Sequence, residues 1–129
     1  MTLDPKLVTQ AKSAVEHIMR EVKGVKAVVI STEDGYEVAS QVQNAAQTSR
    51  LSAMASSFAA LGALVGEESQ LGNCNNIIVD ASEGLIVIMQ IPNLTLALTM
   101  CIVAGKDCVI GQVLYFSKSA IQDLLPATT

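Results

Sequence analysis

The chain has 129 residues, 50% of them hydrophobic, 16% charged and 3% aromatic, with a formal net charge of -4 and a mean hydropathy of +0.44. That length predicts one compact domain over residues 1–129, and the composition excludes disorder, which needs low hydrophobicity and high charge. An acidic chain offers no broad field for phosphate backbones or anionic lipid, so neither nucleic acid nor membrane insertion is expected.

Asp4 can cap a first helix, and Pro5 suits its first position, where a missing N–H costs nothing. Leu7, Ala11, Ala14, Val15, Ile18 and Val22 then recur at helical spacing, with Glu16 and Arg20 as a favourable pair on another face and Gly24 as the stop. Ala27 to Ile30 is a β-branched run suited to a strand covered on both faces, Glu33-Asp34-Gly35 is a hairpin turn, and Tyr36 to Ser40 returns as a second strand. Gln41 to Thr48 reads as a polar loop. Thr48 or Ser49 can cap a second helix that runs to about Glu68. Strands follow at Asn76–Asp80 and Leu85–Ile91, with Pro92-Asn93 as a break, and a fifth at Leu96–Val103. A last helix runs from about Val109 to Leu125, with Pro126 ending it. The order is helix, two strands, helix, three strands, helix. This predicts an α+β fold: a five-stranded, largely antiparallel sheet with three helices on its faces.

The middle helix is unusual. Leu51 to Gly66 carries no charge, whereas an ordinary surface helix shows a charged stripe. On a helical wheel Leu51, Met54, Phe58, Leu61 and Val65 gather on one side, which is expected to be the core stripe. Ser52, Ser56, Ala59, Ala63 and Gly66 gather on the other. A stripe of small residues lets a second helix approach closely. That side is expected to pack against its own copy in a two-fold dimer, with Ser52, Ser56, Ala59 and Ala63 at the seam.

Little points to catalysis. The only histidine, His17, lies on the first helix, and no G-x-S-x-G, P-loop or G-x-G-x-x-G occurs. Cys74, Cys101 and Cys108 fit neither a disulfide framework nor a zinc site and read as reduced thiols of a cytoplasmic protein. Met1 to Lys6 has no signal-peptide layout, and no stretch is long enough to span a membrane. No enzyme activity, cofactor or metal is expected.

Several landmarks together resemble the Roadblock/light-chain-7 domain family: Gly24-Val25 before the first strand, Val29 to Ser40 across the hairpin, the Ala/Ser-rich helix, Leu71-Gly72, Leu96-Ala97-Leu98 and Ile110-Gly111. The likeness runs from about Leu7 to Leu124. It implies the same sheet-and-helix fold, related to profilin. It further implies dimerisation through the middle helix and the third strand, which adds Ile77 and Val79 to the seam and makes Asn76–Asp80 an edge strand. Bacterial and archaeal members regulate Ras-like small GTPases, and this chain is most similar to the bacterial gliding-motility polarity-regulator type. The resemblance therefore implies a homodimer that binds a Ras-like GTPase and biases its switch loops without inserting a catalytic residue. Arg50, Gln70 and Asn73 are candidate partner contacts from position alone. Two other readings stand beside this one: an assembly scaffold without effect on GTP turnover, and a small-ligand sensor.

Overall fold

The computed structural model describes residues 3–42, 45–92 and 96–124. In chain order they form α1 (Pro5–Glu21), β1 (Val25–Thr32), β2 (Glu37–Gln41), α2 (Ala45–Glu68), β3 (Asn76–Ala81), β4 (Gly84–Ile91), β5 (Leu98–Gly105) and α3 (Ile110–Ala120), with a 3-10 turn at Gln122–Leu124. The strands make one antiparallel sheet in the order β2-β1-β5-β4-β3. This is the expected α+β architecture.

α1 begins where its sequence signals it. Asp4 Oδ1 accepts the Lys6 N–H at 3.0 Å, satisfying one of the free donors of the first turn. Leu7, Ala11, Ala14, Val15 and Ile18 are buried in a single stripe. Arg20 does not pair with Glu16 as its spacing predicts. Its Nε lies 3.3 Å from Glu21 Oε1 and its Nη2 3.4 Å from His17 Nδ1. Exposed ion pairs differ by so little in energy that spacing alone does not choose between them.

The centre of the sheet is covered on both faces. Every residue of β1 from Ala27 to Thr32 is buried, and β5 is buried except at half-buried Val103. That explains the continuous apolar runs, since neither face of these strands meets water. The β1–β2 turn closes with Thr32 N–H donating to Tyr36 O at 2.8 Å and Gly35 N–H to Thr32 O at 2.9 Å. Gly35 sits at φ +93, a conformation open to glycine at no steric cost. β2 starts at Glu37 rather than Tyr36, because a bulge between Ile30 and Ser31 shifts the register.

Alternation sorts the side chains into two layers. Val28, Ile30, Val87, Met89, Met100 and Ile102 face α1 and α3. Ala27, Val29, Ile88 and Cys101 face α2, where they meet Leu51 and Ala55. The first layer is built from large side chains and the second from smaller ones. The His17 ring lies 6.3 Å from Phe116 between α1 and α3, so the lone histidine packs there.

Some boundaries move. α2 begins at Ala45, before the expected caps Thr48 and Ser49, because Ala45, Ala46 and Gln47 are good helix formers. The rest of the expected loop, Gln43 and Asn44, lies outside the described residues. β5 begins at Leu98, not Leu96, and the expected break at Asn93 lies outside the described residues. α3 ends at Ala120, with Ile121 N–H turning back to Ser117 O at 3.2 Å. Leu125 and Pro126 lie outside the described residues.

Candidate functional site: the outer face of α2 and the open edge of β3

The wheel reading of α2 has its sides reversed. Ser52 is 1% exposed and Ala59 7%, both against the sheet. Met54, Leu61 and Val65, expected in the core, are 40%, 54% and 57% exposed, and Leu64 stands beside them at 52%. Leu51 is buried and Phe58 half-buried, so these two alone of the bulky stripe turn inward. Ser52 and Ala59 are therefore packed within the chain's own fold and do not face outward. Ser56 is half-buried, and its hydroxyl donates to the Glu33 carbonyl, tying the β1–β2 turn to α2. Ala63 is exposed as expected.

Close approach explains the reversal. A Cβ on Gly66 would stand 2.2 Å from the Gly72 carbonyl oxygen, and one on Gly62 would stand 2.8 Å from Ile77 Cδ1. The C-terminal half of α2 thus lies almost in backbone contact with the segment that leads into β3. Small side chains line the side nearest the sheet, so the bulky ones stand outside. The signal was present in the sequence: two glycines four apart in a helix cost about 1 kcal/mol each relative to alanine, which a close packing contact offsets.

β3 is an edge strand, as the resemblance implied for Asn76–Asp80. Ile77 belongs to the α2-facing layer and is half-buried, as is Val79, while Ile78 on the opposite side is 43% exposed. A β-branched edge with free N–H and C=O groups is a template for another strand. The opposite edge, β2, is short, bulged and polar at Glu37, Ser40 and Gln41, the features that blunt an edge.

Between α2 and β3 runs a groove of about 610 Å³, walled by Phe58, Leu61, Val65, Leu71 and Ile77 among others. Leu71 is 83% exposed. Together with Met54 and Leu64 these side chains make one apolar surface on an otherwise acidic chain. Extended exposed patches of this kind mark interaction sites. A second cavity, of about 880 Å³, is lined partly by Ser56, Asn73, Gln90, Thr99 and Lys118. Arg50, Gln70 and Asn73 are all exposed. Arg50 lies near the N-terminal end of α2, whereas Gln70, at φ +60, and Asn73 flank its C-terminal end. The structure thus does not gather the three into one cluster.

Among the described residues no three His, Cys, Asp or Glu side chains are placed to hold a metal ion, and no helix is long and apolar enough to cross a membrane. Cys101 is fully enclosed, and burial pushes its thiol up to about 11.

The family model described as "Mitogen-activated protein kinase kinase 1 interacting" matches residues 9–126. The chain belongs to this family. Solved structures similar to this family member carry the Roadblock fold. One is the Roadblock/LC7 domain from Streptomyces avermitilis, 14% identical, with 87% of this chain and 92% of that one covered at a TM-score of 0.80. Another is the gliding protein MglB from Thermus thermophilus, 13% identical, with 96% and 92% covered at 0.80. MglB from Myxococcus xanthus is 12% identical, with both chains covered over 100% at 0.78. At such identities the likeness establishes the Roadblock fold. No protein of curated function matches the chain in sequence.

Proposed function

We propose that the chain is a non-catalytic interaction module. It pairs with a second copy through the outer face of α2 and the open edge of β3, and the paired surface binds a Ras-like small GTPase. The observation that carries this reading is the exposure of Met54, Leu61, Leu64 and Val65 on a helix with no charged residue between Leu51 and Gly66. Water-facing helix sides are normally charged, so this side is built to be covered. Pairing β3 with its own copy would satisfy the free edge of the sheet. Ile77 and Val79 remain at the proposed seam, joined now by Met54, Leu61, Leu64 and Val65. The seam no longer includes Ser52 or Ala59, which are buried, nor Ser56 and Ala63, which line the cavity on the other side of α2. Arg50, Gln70 and Asn73 at the margins are the proposed contacts to the GTPase.

The mechanism is selection. A surface that binds one conformation of the switch loops more tightly than another shifts their populations by that difference in affinity. No group inserted into the nucleotide site is needed. The Roadblock resemblance supports the GTPase as partner. The family description favours a second reading, in which the paired surface is a scaffold that holds a mitogen-activated protein kinase kinase in a signalling complex and leaves GTP turnover unchanged.

Light scattering tests the pairing. The wild type should run at twice its 13.5 kDa, and Leu61→Glu should run as a folded monomer. A monomeric wild type at high micromolar concentration overturns the reading. Single-turnover GTP hydrolysis by small GTPases of the host separates the two partner readings. A rate changed by the wild type but not by Leu61→Glu supports the regulator. Binding of the kinase at an unchanged GTP rate supports the scaffold.

A further inference from the structure

The sheet face under α2 changes character at one level. Val29, Cys101 and Ile88 lie side by side across β1, β5 and β4 and are apolar, whereas Ser31, Thr99 and Gln90, the next rank on the same face, are all polar. The Ser31 hydroxyl is buried without a partner among the described residues, as is that of Ser52 on α2. Unpaired buried hydroxyls cost free energy, and native folds keep few of them. Ser31 is the register partner of Thr99 and Ser52 is one helical turn from Ser56, and Thr99 and Ser56 line the cavity of about 880 Å³. A space of that size is within the range of small-ligand sites. Its α2 wall is Ser56, Ala59, Ala60 and Ala63, none longer than serine, which keeps the space open. Gln90 Nε2 makes one long hydrogen bond across it, 3.4 Å to the Ala59 carbonyl, and the amide keeps donor and acceptor capacity to spare.

Charge says what would fill it. Glu33 and Asp34 line the cavity from the β1–β2 turn, which Ser56 ties to α2, and Lys118 lines it from α3, on the opposite face of the sheet. All three are exposed. None is in an ion pair among the described residues, where the pairs are Arg20 with Glu21 and Lys106 with Glu83. Two carboxylates against one cation repel phosphates and other polyanions. No aromatic ring lines the space among the described residues, so a flat base or ring finds nothing to stack on. We infer that this cavity binds a small aliphatic zwitterion, with its ammonium at Glu33 and Asp34, its carboxylate at Lys118 and its chain along the alanines of α2. Gln90 and Thr99, which both donate and accept, supply hydrogen bonds to the charged ends. One chain provides every group, so the site stands apart from the self-pairing proposed above.

Titration with the ω-amino acids from β-alanine to 8-aminooctanoate, followed by NMR shifts of the Thr99 and Gln90 amides, tests this. One chain length should bind saturably. The alkylamine and the alkanoate of that length, each lacking one charge-assisted contact, should bind about tenfold more weakly. Glu33→Gln combined with Asp34→Asn should bring the amino acid down to the affinity of the alkanoate, and Lys118→Gln to that of the alkylamine. The changed side chains are exposed, and Glu33 holds Ser56 through its backbone carbonyl, so both variants should melt as the wild type does. Saturable binding that both variants retain overturns the inference, as does a singly charged analogue that binds equally well. So does a wild type that shows no saturable shift with any member up to about 50 mM, a level that fills any site of millimolar affinity.

Discussion

The two long helices bury apolar surface in opposite ways. α1 turns Leu7, Val15 and Ile18 inward and keeps Lys12, Glu16 and Arg20 in water. α2 turns Ser52, Ala55, Ala59, Gly62 and Gly66 inward and leaves Met54, Leu61, Leu64 and Val65 outside. It lies almost in backbone contact with Gly72 and presents its bulk to whatever comes next. One helix completes the fold, and the other, in the proposed pairing, completes an assembly. The difference teaches that side-chain size does not indicate which side of a helix is the inside once backbones approach closely.

The sharpest way to break this comparison is to truncate a bulky side chain on each helix. Ile18 is fully enclosed, so Ile18→Ala should lose about 3 kcal/mol of stability through lost transfer energy and the cavity left behind. Leu61→Ala, at a site 54% exposed, should cost the isolated chain well under about 1 kcal/mol, within the range of ordinary surface substitutions. Urea unfolding at low protein concentration, where any dimer is dissociated, measures both. Equal losses would mean that Leu61 is in the core and that the two helices are packed alike.

The close approach of α2 makes the next prediction run against helix propensity. An exposed Gly→Ala change in a helix gains about 1 kcal/mol. At Gly66 the added carbon would meet the Gly72 carbonyl oxygen at 2.2 Å. Gly66→Ala should therefore lose about 1–3 kcal/mol, the usual cost of overpacking a filled site. A stabilised variant in thermal melting would show that α2 has room to move outward.

These two helices also mark what the sequence made legible. For α1 an apolar stripe at helical spacing and a charged remainder agree, so its cap, its face and its burial follow from the residues. The hairpin at Glu33-Asp34-Gly35 and the doubly covered β1 follow in the same way, from turn chemistry and from a run with no polar alternation. α2 has no charged stripe to orient it, and a wheel that weights size puts its bulk inside. What decides the orientation is the backbone of the 69–75 segment against Gly62 and Gly66, a tertiary contact that no local pattern contains. The missing charge set the helix apart from an ordinary surface helix. It could not say which side faces the sheet and which stands outside.

The α2-facing layer also holds Cys101, whose thiol burial pushes up to about 11. In the unfolded chain the thiol ionises near its ordinary value of about 8.5. Between those values the unfolded state loses a proton that the folded state keeps, so stability must fall as pH rises. The contribution is fully present below the unfolded value and lost as pH climbs through the folded one. The wild type should lose about 2 kcal/mol more than Cys101→Ala between roughly pH 9 and 11, since one such proton is worth about 1.4 kcal/mol for each unit of pH. Parallel pH profiles for the two proteins would mean that this layer admits water.

The smallest effect separates two serines four residues apart on α2. The Ser52 hydroxyl is buried without a hydrogen-bond partner among the described residues, whereas the Ser56 hydroxyl donates to the Glu33 carbonyl. Ser52→Ala removes an unsatisfied polar atom and gains helix propensity, and the void it leaves is only one oxygen in size. It should be neutral or stabilising by up to about 1 kcal/mol. Ser56→Ala breaks the tie between α2 and the β1–β2 turn and should lose about 1 kcal/mol. Opposite signs in paired melting curves are expected from a helix tied to the β1–β2 turn at one serine and merely packed at the other. Equal losses would mean that the Ser52 hydroxyl is satisfied in solution.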